Sequence, residues 1–582
     1  MSLKGSIARA TFLRRKTDAR LSVQATGNFG LVFPARPMFH PGMKPLACLL
    51  LALVVPLHAA TPEKGKAELR KLVKLPTLNL SMAFGLSTER GFALTEPKPQ
   101  KEKKAAALQK RIDREPRNGS LRLELCELLN ALGRKTESKA ALKMAVELLR
   151  KEAEARAGDA AAVAGFARAL AESDEQGEAE RLLRAAVARS TNEWMLWVTL
   201  GDVLSQRATT TLVYGDEGKR EPGRDGESFI RAVLQRKPGA DEIQRVEELR
   251  VESARCFDRA VQLAPKSSEV YLQRAGFKSL NGMLRTLVEE LRKPESNVKR
   301  TWSAFFNREA LKDFQKAAEL SPTNYLMIGT AAVLEAFAVM YEQAGPAATL
   351  DYEAMTISRL PPAARAVIRD AMTRLENLGE HPDRAIAAGA LELLGGLQFI
   401  VAQDPEGARK TLRRTVTLDP SRHQAWEILI GVTYTMEKPD LLVAVCAERL
   451  KALDNSRNRL LLAKAYDTAG NGAKAKETVE SALKATPDDP LLLLASAALQ
   501  LRTAQTSRES QAAGESLMRV REKIEALPEN DRETLVIDAM LLNAIQLGLD
   551  DEPEEARKLV RLVLKKDPEH ERAQKILAAL VF

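Results

Sequence analysis

Residues 462–487 read LAKAYDTAGNGAKAKETVESALKATP. Within them Ala475, Val479 and Ala482 fall four and three positions apart, the spacing of one helix face. Small and large side chains alternate along that stripe, so a neighbouring helix can approach closely. Pro487 then stops the helix and begins a turn. Leu462, Ala463, Tyr466 and Gly470 supply the helix before it. The stretch reads as a helical hairpin closed by a proline.

The phrase recurs along the chain as Ser253/Phe257/Pro265, Ala310/Phe314/Pro322, Ala408/Leu412/Pro420, Ser516/Val520/Pro528 and Ala556/Val560/Pro568. In some copies an alanine follows the large residue by three, as at Ala260 and Ala317. Looser copies stand at Ser138/Leu142/Ala145 and Ala179/Leu183/Ala186. The partner helix carries Trp197-x-x-Leu200-Gly201 and Trp426-x-x-Leu429-Ile430. Pro420 to Asp454 spans 34 residues and Asp454 to Pro487 spans 33, whereas the next two intervals are 41 and 40. Self-similarity at such a period marks a stacked-repeat architecture.

On these motifs the chain resembles the tetratricopeptide-repeat family from roughly Ala105 to Phe582. The resemblance implies an all-α chain, a right-handed α-solenoid of about ten degenerate hairpins with Glu569 to Phe582 as a closing helix. It also implies protein binding rather than catalysis. Departures from the period predict insertions at 208–240, 281–305 and 344–362, with 105–402 the degenerate part of the array and 403–582 the more regular part. The first insertion includes the polar, glycine-rich run Tyr214 to Gly226.

Composition agrees with helix, since aromatics make up 5% of 582 residues and hydrophobic residues 45%. The formal charge of +10 is concentrated at the start. Residues 1–60 hold eight basic side chains against Asp18 alone, whereas Pro116 onward carries 67 basic and 70 acidic residues. The basic footprint that nucleic acid requires is missing where the repeats would present it.

Met43 to Ala60 reads MKPLACLLLALVVPLHAA. Lys44, the apolar stretch Leu46 to Val55, Pro56 and the closing small residues follow the order of a signal peptide, with cleavage after Ala60. The apolar core is short for a membrane span of ~20 residues. Residues 1–42 then read as an upstream extension or basic disordered segment, and 61–104 as a linker or lead-in. Export to the periplasm or cell envelope of a bacterium is the expectation; a cytoplasmic chain, or an anchored one if the segment is retained, is the alternative. Cys126, Cys256 and Cys446 are scattered, form no metal spacing, and read as small core residues.

Catalytic patterns are missing. No His-Glu-x-x-His, no phosphate loop and no Gly-x-Ser-x-Gly elbow occurs. His381, His423 and His570 are far apart at hairpin junctions, and Gly395-Gly396 reads as close packing inside an apolar helix. No cofactor, metal or small-molecule substrate is implied.

In stacked hairpins the first helix of each pair lines a concave groove. Helical spacing places Gln424, Glu427 and Tyr434 there in one repeat, and Arg457, Lys464 and Asp467 in the next. Mixed signs favour protein or peptide partners over a polyanion. Leu123 and Glu127 occupy positions where family members that clamp a carboxylate carry Lys and Asn, which argues against that mode. The expectation is a non-catalytic scaffold of the envelope. A cytosolic co-chaperone or regulator, or an accessory to an envelope processing enzyme, is the rival.

Overall fold

A computed structural model describes residues 28–29, 62–76, 86–87, 93–94, 98–215, 230, 233–293, 304, 306–344, 356–523 and 529–580. Its helices begin with α1 (Pro62–Lys71) and α2 (Lys98–Arg114). The chain forms two compact units. The larger takes in Met82–Val432 with residues 28–29, and the smaller joins Thr433 onward to residues 62–76.

In the larger unit α2 leads a series of packed hairpins. These are α3 (Gly119–Ala131) with α4 (Lys135–Ala155), α5 (Ala160–Glu172) with α6 (Gln176–Arg189), and α7 (Trp194–Tyr214) with α8 (Ala240–Leu263). Next come α9 (Ser268–Leu291) with α10 (Arg308–Leu320), α11 (Tyr325–Ala344) with α12 (Pro362–Leu378), and α13 (Arg384–Ile400) with α14 (Pro405–Leu418). The division between units falls within α15 (His423–Thr435). The smaller unit contains α16 (Pro439–Ala452), then α17 (Ser456–Thr468) with α18 (Gly472–Ala485), α19 (Pro490–Thr503) with α20 (Ser507–Glu522), and α21 (Glu529–Leu549) with α22 (Pro553–Lys566). Helix α23 (Glu571–Ala579) closes it, as the repeat pattern expects.

The recurring phrase is the hairpin core. Ser253, Ala310, Ala408, Ala475 and Ala556 are buried, as are Phe257, Phe314, Leu412, Val479 and Val560. Burying each large side chain contributes about 2 kcal/mol. Before each proline the chain leaves the α region: φ is −131° at Ala264, −130° at Ser321, −139° at Asp419, −134° at Thr486 and −132° at Asp567. Proline's ring disfavours helix for the residue before it, so these turns are set locally. Gly470, with φ +74°, takes the left-handed turn between α17 and α18 that glycine permits.

A second signature repeats at the start of first helices. Side chains at Arg122, Trp197, Trp426 and Gln574 each donate to the carbonyl six residues earlier: Pro116, Thr191, Pro420 and Pro568, at 2.7–3.0 Å. Gly201 has a reason too, since a Cβ there would meet the Phe257 ring at 3.0 Å, and its carbonyl accepts from Ser253 Oγ at 2.6 Å. Gly395 likewise leaves room for Leu412.

Three expectations need revision. In α20 the buried stripe is Ala513, Leu517 and Val520, with Ser516 half-buried, so the small residue of that repeat is Ala513, one turn earlier than the Ser516 register. The expected insertion at 281–305 is in part regular helix, because α9 runs on to Leu291 with Met283, Leu284, Leu287 and Val288 buried. The 208–240 excursion is likewise shortened by α7, which continues to Tyr214; most of what remains, and most of 344–362, lies outside the described residues, as do residues 1–27 and the signal-like stretch 43–60. Apart from the helices, three two-residue strands, β1 (Asn28–Phe29), β2 (Leu86–Ser87) and β3 (Ala93–Leu94), pair antiparallel in that order and leave the all-α class unchanged.

Among the described residues one helix, Tyr325–Gln343, is long and apolar enough to cross a membrane, with mean hydropathy 1.3. It is 78% buried inside the unit, so its apolarity is spent on the hairpin core. Cys126, Cys256 and Cys446 are buried thiols, and burial pushes Cys256 and Cys446 up to about 12, far from reactive thiolate.

Candidate functional site

First helices of the smaller unit stack on one another: α17 on α19, α19 on α21, α21 on α23. That stacked surface of first helices is covered by polypeptide. Helix α1 packs across α19, α21 and α23, and residues 72–76 continue from it as a non-helical strap.

The apolar side of this segment faces inward. Leu69, Val73, Leu75 and Pro76 are buried, and Leu69 is fully so. Its seat exists because residue 548 has no side chain, since a Cβ on Gly548 would lie 2.7 Å from both Leu69 Cδ1 and Leu580 Cδ2. The polar side is held by charge. Lys66 Nζ pairs with Asp551 at 2.7 Å, and Arg70 Nε donates to the Ala504 carbonyl at the C-terminal end of α19 at 2.7 Å. A cation there also complements the helix dipole.

Three long cationic side chains grip the strap by its main chain. Arg572 Nε donates to the Leu72 carbonyl at 3.0 Å, Arg502 Nη2 to Val73 at 3.4 Å, and Lys464 Nζ to Pro76 at 2.9 Å. Two are positioned by acids one repeat earlier. Asp467 on α17 pairs with Arg502 on α19, and Asp538 on α21 holds Arg572 Nη1 at 2.8 Å. Asp538 is buried and the Arg572 side chain is 11% exposed; burial pulls the Arg572 guanidinium below its ordinary value, and Asp538 pushes the other way. A buried pair of this kind contributes geometry more than net stability.

Of the groove residues read from the sequence, Lys464 and Asp467 are brought to this strap, one directly and one through Arg502. Arg457, half-buried, shares the Lys464 face seven residues earlier on α17. Gln424 and Glu427 are half-buried on the part of α15 that belongs to the larger unit, and Tyr434 is exposed. Leu123 is buried and Glu127 bonds Arg168 at 2.7 Å, which links α3 to α5. Sequence reasoning missed Arg502, Asp538, Arg572, Gly548 and the segment itself. A signal existed: Asp467/Arg502 and Asp538/Arg572 are acid–arginine pairs one repeat apart, at separations of 35 and 34. The strap hid in a proline-bearing stretch whose pattern, Leu69, Val73, Leu75, is apolar on one side.

The histidines serve the chain locally. His570 Nδ1 accepts from the Ala573 amide at the start of α23, and His381 Nδ1 from the Asp383 amide. Among the described residues no group of three or more His, Cys, Asp or Glu is arranged to hold a metal. The site's chemistry is recognition of peptide carbonyls and apolar side chains.

No protein-family model matches the chain, and no curated protein matches it. Among solved structures, the crystal structure of yeast Tom70 aligns over 82% of this chain and 95% of that chain, at 16% identity and a TM-score of 0.31. The Cut9-Hcn1 hetero-tetramer of the APC/C aligns over 76% of this chain and 94% of that chain, at 15% identity and a TM-score of 0.24. Superpositions this loose carry no argument. The hairpins, their register and their proline turns carry it: the architecture is an α-solenoid of tetratricopeptide type.

Proposed function

We propose that the chain is a non-catalytic scaffold that binds segments of other proteins on its concave first-helix faces, and that it works outside the cytoplasm, in the envelope of a bacterium. The observation that carries the reading is the segment 62–76 held on the concave face by Lys464, Arg502 and Arg572 through main-chain carbonyls. Donors aimed at a backbone are the equipment of peptide recognition. Export is supported by the signal-like order of Met43 to Ala60, and the packed helix that begins at Pro62 suits a mature chain starting at Thr61.

Two measurements test this. Sequencing of the mature N-terminus from the native source is expected to read from Thr61; a chain starting at Met1 overturns export. Photo-crosslinkers placed at Arg457 on the concave face and at Leu562 on an exposed second-helix position should capture a discrete partner from the first alone. Equal capture at both overturns the groove reading.

A further inference from the structure

Residues 62–76 occupy the smaller unit as a ligand does. Helix α1 belongs to no hairpin, and it packs on α19, α21 and α23. A capping helix completes the end of a stack, as α23 does; α1 lies across the face of three successive first helices instead. The partners of residues 66, 70 and 72, at Asp551, Ala504 and Arg572, are more than 400 residues away in sequence, so no short turn holds the segment in place. Recognition divides into two parts. Main-chain carbonyls of Leu72, Val73 and Pro76 take the three cationic donors, which any extended polypeptide could satisfy. Leu69, seated over Gly548, and the buried Val73 and Leu75 supply the specificity.

The geometry points to residues 62–76 as a built-in occupant of a groove made for a partner: the C-terminal array receives a partner segment of the same chemistry, a short basic amphipathic helix running into a non-helical apolar strap, and that segment binds by displacing residues 62–76. This deepens the scaffold reading and rests on it. It adds that the groove is closed by default and that the apparent affinity for a partner is lowered by the fraction of chains in which the occupant is docked.

The test uses the full chain and a fluorescent peptide of sequence 62–76. Leu69→Asp with Val73→Asp in the full chain should expel the tethered segment, and the peptide should then bind that variant roughly tenfold or more tighter than it binds the unaltered chain. Gly548→Val or Arg572→Ala, added to the same variant, should weaken the peptide again. Equal binding to both chains, or to neither, overturns the proposal. So does loss of helicity in the Leu69→Asp/Val73→Asp chain, because the segment is then part of the fold.

Amide exchange on the unaltered chain gives a second reading. The α1 amides should exchange while α19 and α21 stay protected; exchange of all three together makes the segment a fixed element and overturns the proposal. A native partner that still binds after Lys66 is covalently joined to Asp551 leaves the scaffold reading standing and removes this one.

Discussion

Lys464 donates to the carbonyl of Pro76 at 2.9 Å across 388 residues of chain. Together with Arg502 and Arg572 it fixes the strap by main-chain carbonyls, atoms that every peptide has. Arg572 is the most deeply committed of the three, because Asp538 is buried against it. Replacing Arg572 with alanine should destabilise the smaller unit by about 3 kcal/mol, since a buried charge pair broken on one side costs more than the pair contributes. Denaturant unfolding followed by exchange at α23 checks it, and a change within about 0.5 kcal/mol, typical of surface sites, would show that the pair is incidental.

Packing at Gly395 makes a sharper prediction. An added Cβ would fall 2.6 Å from Leu412 Cγ, a branch point that cannot swing aside. Gly395→Ala should therefore cost about 1–2 kcal/mol despite alanine's better helix propensity. In the Gly395→Ala/Leu412→Ala double variant the two effects should fall short of their sum, as expected for residues in contact. Additive effects would place the two side chains apart.

The register of α20 can be tested by substitution. Ala513→Leu forces extra volume into a buried position and should lower stability by about 2 kcal/mol, whereas Ser516→Leu should be nearly neutral. Thermal melts of the two variants decide it, and the opposite order would restore the Ser516/Val520 reading of the sequence.

Glu180 supplies a pH dependence. Burial acts to raise its carboxyl, but Arg184 at 2.8 Å and Arg207 outweigh that and hold it below the usual carboxylate value. A folded-state value that is depressed gives stability present above the unfolded value of about 4.3 and lost as pH falls through the folded one. Glu180→Gln should thus cost about 1–3 kcal/mol at neutral pH, with the difference from the unaltered chain shrinking below about pH 4. A difference independent of pH would mean the loss is one of packing.

The hairpins were legible because their signal is local. Each repeat needs a small residue where helices touch and a proline where the chain must turn, so Ala475, Val479 and Pro487 announce the structure by themselves. Burial of Cys126, Cys256 and Cys446 followed from the same stripes. The α20 register was misread because Ser516 and Val520 satisfy the same spacing as Ala513 and Leu517 one turn away, and Pro528 tipped the choice. Lys464 and Asp467 were legible as positions on one face of α17, because the repeat fixes the phase of that helix. The occupant of that face was not, because its partners lie hundreds of residues off and periodicity carries no long-range information.

The docking of residues 62–76 on the C-terminal array is tested most directly by zero-length carbodiimide crosslinking of the full chain, read by peptide mass spectrometry. Lys66 Nζ lies 2.7 Å from the Asp551 carboxylate, which is open to reagent at 64% exposure. The expected result is an isopeptide bond between Lys66 and Asp551, formed within one chain in a mixture of isotopically labelled and unlabelled protein. Lys66 joined to other carboxylates without Asp551, or to Asp551 of a different chain, would contradict it.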